Sequence, residues 1–157
     1  MGRRMGISLD LMPDYSMEQI FLPAIRDYFL TCPMMAGGSI PFDFLPDAPM
    51  AYTVDAVPEL SVVKTYTDSS SIRQYRFLIQ STGSYSPGVL QQIADSGVYE
   101  SLVDWLETQA QQENLPLLPS GREALRLELD GAGPLLAENA SEGTWRMQGT
   151  LQYFQEA

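Results

Sequence analysis

The sequence predicts an α+β fold: one domain built on an antiparallel sheet of about four to five strands, with helices packed on one face of it. Three observations carry this reading. Leu60 to Thr67 and Ile72 to Ser81 form two strand-like runs joined by Asp68-Ser69-Ser70-Ser71, the pattern of a long hairpin. Later in the chain Leu125, Leu127 and Leu129 alternate with Arg126, Glu128 and Asp130, and Trp145, Met147, Gly149, Leu151 and Tyr153 alternate with Arg146, Gln148, Thr150 and Gln152. Between these strand pairs lies one helical block, so helices have a single sheet to cover.

In chain order, residues 1–15 mix Gly, Arg, Met and Pro without a period and predict a loosely held arm, followed by a single domain over 16–157. Ser16 and Gln19 have capping-box spacing, which predicts a helix start, with Ile20, Phe21, Ala24, Ile25, Tyr28 and Phe29 as its apolar face. Pro23 predicts a kink or the true first turn, and Pro33 an end. Prolines recur from Pro33 to Pro58 beside Gly37 and Gly38, predicting an extended connection with Tyr52, Val54 and Ala56 as a short edge strand. In the hairpin, Val62, Lys64 and Tyr66 are expected on one side of the first strand. Tyr75, Phe77 and Ile79 are expected on one side of the second, opposite the polar row Gln74, Arg76, Leu78 and Gln80.

Ser86-Pro87 offers an N-cap followed by proline in the first helical position, where no amide is needed. The helical pattern is broken at Asp95-Ser96-Gly97, giving a short helix over 87–94 and a longer one carrying Tyr99, Leu102, Val103, Leu106 and Ala110. Asn114, Pro116, Pro119 and Gly121 mark an exit loop, and Gly131-Ala132-Gly133-Pro134 reads as a turn.

At 157 residues the chain is long enough to bury ~70% of its unfolded surface without a metal or disulfide staple. The lone Cys32 has no intrachain partner, and neither a signal-peptide pattern nor an apolar run of bilayer length is legible, which predicts synthesis in a reducing cytoplasm and no membrane partner. Twenty carboxylates against nine cations give a net charge of −11, which opposes sequence-independent binding to phosphate backbones. All the cations except Lys64 are arginines; composition bias explains this as well as arginines committed to subunit contacts.

The chemistry-bearing residue types are sparse. There is no histidine, which removes the commonest general base and metal ligand and every Ser-His or Cys-His arrangement. Cys32 precedes Pro33 at a helix end, away from the helix N-termini and cationic neighbours that activate thiolates, so it reads as a small buried hydrophobe. Glu100, Asp104 and Glu107 fall opposite Leu102, Val103 and Leu106 on the helical block and read as a solvated face. Neither a calcium loop nor a phosphate-binding loop is present. Trp105 and Trp145 fit core or interface anchoring, and methionines concentrated in the N-terminal third suit core filling or adaptable contacts. The expectation is a protein without catalytic, cofactor or metal sites, and not an enzyme.

Four further segments carry a resemblance: Ile25-Arg26-Asp27-Tyr28-Phe29-Leu30-Thr31-Cys32-Pro33; Lys64-Thr65-Tyr66-Thr67-Asp68 followed by Arg73-Gln74-Tyr75; Ser96-Gly97-Val98-Tyr99-Glu100 with Trp105; and Leu115-Pro116-Leu117-Leu118. Together with Met147-Gln148-Gly149-Thr150-Leu151-Gln152-Tyr153 they make residues 16–155 resemble small prophage proteins of Gram-positive bacteria, a family labelled minor capsid protein, tail terminator or chloramphenicol resistance protein. That family often has glycines where this chain has Ser69, Ser70 and Ser71. The chloramphenicol label conflicts with the chemistry, since acetyl transfer by the resistance enzymes relies on a histidine base.

The resemblance implies a structural part of a long-tailed phage at the head-tail junction, a terminator-like subunit capping the tail tube as a homo-oligomeric ring, commonly a hexamer. It is expected in the host cytoplasm during assembly and then in the virion. Implied partners are sister copies, tail-tube proteins and head-completion proteins. Arg76, Arg126 and Arg146, on the polar sheet face, are the expected contact residues, with acidic partners such as Glu128. Two alternatives remain at this stage: a minor capsid or head-completion protein, and a cytoplasmic ligand-binding protein or enzyme using the open sheet face.

Overall fold

In the computed structural model, residues 13–45, 49–119, 121–136 and 141–157 are described, with side chains outside 13–19, 58–60 and 135–136. The elements follow as helix α1 (Pro13–Leu30), a 3-10 turn (Pro33–Met35), strands β1 (Ser39–Ile40), β2 (Met50–Thr65) and β3 (Ser71–Ser81), helices α2 (Pro87–Asp95) and α3 (Val98–Gln111), and strands β4 (Arg122–Leu136) and β5 (Gly143–Gln155). The five strands form one antiparallel sheet in the order β1-β2-β3-β5-β4. This is the α+β arrangement expected, with all three helices on one face.

The covered face is set by the period-two pattern. Tyr75, Phe77 and Ile79 of β3 and Trp145, Met147, Leu151 and Tyr153 of β5 are buried, joined by Val54, Ala124 and Leu127 from the flanking strands. Phe21, Ile25, Tyr28 and Phe29 of α1, Leu90 and Ile93 of α2, and Val98, Leu102 and Leu106 of α3 close over them. Phe21 sits between the rings of Tyr75 and Tyr153, 4.7 Å from each centroid, and Trp105 packs 5.3 Å from Tyr28. The hydroxyl of Tyr28 donates to the Asn114 carbonyl at 2.8 Å, tying α1 to the exit loop. Cys32 is buried in this core, as its sequence position suggests.

Gly149 has a role that alternation alone does not reveal. It pairs with Phe77 across β3 and β5, and a Cβ built on it would lie 2.3 Å from the Phe77 ring. The missing side chain is what leaves room for the outer end of the Phe77 ring.

Several expectations are corrected. Helix α1 starts at Pro13, so 13–15 are helical rather than part of an arm, and the backbone of Ser16 and Gln19 lies inside the helix instead of capping it. Proline suits a helix start because its fixed φ is helical and its absent amide has no partner to lose there. The Ser16 and Gln19 side chains, and the proposed arm over 1–12, lie outside the described residues. Pro23 neither starts nor ends α1; it lies inside the helix, on its exposed face. The Gly131–Pro134 stretch is strand, the outer half of β4, because an edge strand tolerates a proline on its unpaired side.

The two strands read over 52–56 and 60–67 are one strand, β2, running through Pro58 with a register shift between Ala56 and Leu60. A second shift at Val63 breaks the alternation: Val62 lies across from Arg73, on the covered-face row, whereas Lys64 lies across from Ile72, on the opposite row. Val62, Lys64 and Tyr66 therefore do not share a buried side, and every residue from Ser61 to Ser69 is exposed. At the hairpin tip the Asp68 carboxylate accepts from the Ser70 amide at 3.0 Å and its hydroxyl at 2.6 Å, while Ser69 takes a positive φ of 74°. That left-handed position is where a glycine is least strained.

The helical block follows expectation. Ser86 Oγ accepts from the Val89 amide at 3.3 Å, capping α2, and Gly97 with φ 81° turns the chain into α3. Glu100, Asp104 and Glu107 face water.

Candidate interaction surface

The face of the sheet opposite the helices carries the residues singled out from the sequence. Arg76, Arg126, Arg146 and Glu128 all project from it, on β3, β4 and β5. A bulge between Leu129 and Gly131 adds Asp130 to β4 without a partner residue on β5, and this shapes their pairing. Arg76 reaches Asp130 at 3.3 Å, not Glu128, and also donates to Gln148 Oε1 at 3.4 Å. Thr150 Oγ1 donates to the same Asp130 oxygen at 2.7 Å. Glu128 instead meets Arg126 on its own strand at 3.0 Å.

Arg146 stands across from Gln80 and Gly133. With Gly131, Gly133 and Pro134 it borders a shallow depression of ≈ 270 Å³, since the two glycines contribute no side chain above β5. Farther along, Gln80 donates to Asp55 at 3.0 Å and Thr53 to the same carboxylate at 2.8 Å. The outward face is thus a lattice of amides, hydroxyls and paired charges rather than a convergent pocket. Both partners of the Arg76–Asp130 pair are about a third exposed, so the pair contributes only ~0–1 kcal/mol to stability, and the more exposed Arg126–Glu128 pair no more.

Two other cations, Arg73 and Arg122, lie at the end of the covered face beside Tyr153. Burial pushes the Tyr153 phenol up, and the two guanidinium groups partly oppose that. Arg73 Nε donates to Ser71 Oγ at 2.9 Å. The Cys32 thiol is likewise pushed up by burial, partly offset by the amides of Met34 and Met35, which leaves it the unreactive form.

Charge is segregated between the two layers. Asp95, Glu100, Asp104, Glu107 and Glu113 fall in or next to α2 and α3, and no lysine or arginine occurs between Arg76 and Arg122. The cations Lys64, Arg73, Arg76, Arg122, Arg126 and Arg146 are all on strands. The α2–α3 part of the helical layer is an acidic surface, α1 carries exposed Arg26 beside Asp27, and the sheet is mixed.

Among the described residues no group of three or more His, Cys, Asp or Glu is placed to hold a metal ion, and no helix is long and apolar enough to cross a membrane. No protein-family model matches the chain, and no curated protein matches it. Sequence reasoning found the right face for all four site residues. It missed Asp130 and Gln148 as partners of Arg76, and Thr150 as a donor to Asp130, although the alternation of β4 and β5 already put Gln148 and Thr150 on that face.

Proposed function

We propose that the chain is a non-enzymatic structural protein of a long-tailed phage, acting at the head-tail junction as a tail-terminator-like subunit that meets sister copies and tail-tube proteins in a ring. The observation that carries the reading is the one-sided sheet: three helices cover one face, and the other presents Arg76, Arg126, Arg146, Glu128 and Asp130 to whatever stands opposite. Such a face suits contact with another protein, because its paired charges and amides are half-exposed and open to interfacial water and partner side chains. The segment resemblance supplies the biological setting.

A ring with net negative subunits also suits a channel that DNA must traverse without adhering. Electron microscopy of particles from a phage lacking this gene tests the proposal. Headless tails of irregular length are the expected result. Defective heads with normal tails would assign the chain to capsid completion, and normal particles would remove the virion role.

A further inference from the structure

Among the described residues both lateral edges of the sheet are unpaired over most of their length. Among the described residues β4 pairs only with β5, and β2 beyond Ala51 has strand β3 on one side and no strand on the other. The β4 edge is not bare. Helix α3 and the exit loop that follows it run beside it, and against β4 lies a groove of two adjoining cavities: one of ≈ 490 Å³ walled mainly by Leu115, Pro116, Leu117 and Leu118 of the loop, and one of ≈ 240 Å³ walled by α3, with Ala110 lining both. Val103, Leu106 and Ala110 wall it from the helix, while Leu125, Leu127 and Leu129 line it from the strand. A free strand edge flanked by an apolar helix wall is the geometry into which an extended segment adds as an extra strand.

The other edge of the same sheet has the complementary properties. Ser61–Thr65 of β2 is an extended five-residue segment with Val62 54% and Val63 50% exposed, apolar area that gains by leaving water. Its one charge is Lys64. The groove is bordered by Glu107, Glu113, Glu123 and Glu128 against Arg122 and Arg126, an excess of two negative charges. Pairing β4 with β4 would set these carboxylates against their own copies, and pairing β2 with β2 would bring Lys64 toward Lys64. Only the unlike pairing brings opposite charges together.

We propose that a second copy of the chain occupies this groove, its Ser61–Thr65 edge adding to β4 beside α3. The contact is heterologous, since each copy offers one edge and receives the other, and repetition of a heterologous contact generates either a closed ring or an open filament. The proposal rests on the self-assembly in the function above and names the surfaces that perform it.

The test uses the full chain with Val63→Cys in one preparation and Leu125→Cys or Glu128→Cys in another, joined by a short bis-maleimide and identified by mass spectrometry. Cys32 is 2% exposed, so the unsubstituted chain is the control. Mixed preparations are expected to give β2–β4 adducts about tenfold or more above the like-edge adducts that either variant gives alone, because docking raises the local concentration of the unlike pair. Lys64→Glu is expected to reduce that yield, and Glu107→Lys with Glu128→Lys on the Leu125→Cys copy to restore it. Adducts dominated by like edges, or no excess in the mixture, overturn the proposal. The result is separable from the function: β2–β4 adducts from a chain whose loss leaves particles normal keep the contact and remove the virion role. Irregular headless tails without such adducts do the reverse.

Discussion

Replacing Gly149 with alanine adds one methyl group where the structure has none to spare. The new Cβ would stand 2.3, 2.7 and 2.8 Å from three carbons of the Phe77 ring, against the 3.5–4.0 Å of an ordinary carbon contact. Relief requires the ring or the β5 backbone to move by about 1 Å. Phe77 is fully buried, its ring 6.1 Å from that of Phe29, and β5 is held by β3 and β4 on either side. Neither has a free direction, so the cost falls at the upper end of overpacking effects, about 3 kcal/mol. That is on the order of a hundredfold in the unfolding equilibrium and, for a chain of this size, roughly 6–12 °C in Tm. Urea unfolding monitored by the two tryptophans measures it. Phe77→Ala supplies the control: alone it opens a cavity, and combined with Gly149→Ala part of that space is refilled, so the two changes couple by about 0.5–3 kcal/mol. A Gly149→Ala chain within about 0.5 kcal/mol of the parent, or strictly additive effects in the cycle, would refute the reasoning.

Other consequences follow from particular contacts. Burial, with a smaller contribution from Cys32, raises the Tyr28 phenol from 10.0 to about 12, so the folded state favours its neutral form. The folded state therefore keeps its full stability below pH 10 and loses it progressively as pH climbs toward 12, where burying the phenolate is penalised; Tyr28→Phe should flatten the alkaline transition seen by circular dichroism and, by removing the hydrogen bond to the Asn114 carbonyl, cost about 1 kcal/mol at neutral pH. Ser86→Ala removes the α2 cap and should cost ~1 kcal/mol by denaturant melt, whereas Ser86→Gly costs only a few tenths. Arg126→Ala and Glu128→Ala, which break the exposed pair on β4, should leave stability within ~0.5 kcal/mol; a larger loss would mean that the pair supports the fold.

Strands β3 and β5 were legible almost residue by residue, because each is central, buried on one face and free of bulges, so side-chain alternation maps directly onto the two faces. The helices α2 and α3 were legible from a cap, a glycine and a period. The edge strands were not. Register shifts at 57–59 and at Val63 in β2, and at Leu125 and Asp130 in β4, reset the alternation, and such shifts depend on how neighbouring strands twist, which local sequence does not encode. This is why Leu125 is 40% exposed while Ala124 takes the buried position, and why a Gly-Pro stretch that resembles a turn extends β4. The candidate surface fared the same way. Face assignment survives because Arg76 and Arg146 sit on regular strands, whereas Asp130 as the partner of Arg76 was not legible because it is the bulged residue.

The claim on which the functional reading turns is that the outward sheet face is covered by other proteins in a particle. Labelling with an arginine-specific reagent, read by mass spectrometry in the free chain and in purified phage particles, addresses it most directly. The account predicts that Arg76, Arg126 and Arg146 react in the free chain and that this labelling falls in the particle, while exposed Arg26 on α1 serves as an internal reference. Equal labelling of the three in both states, or particles that do not contain the chain, would contradict it.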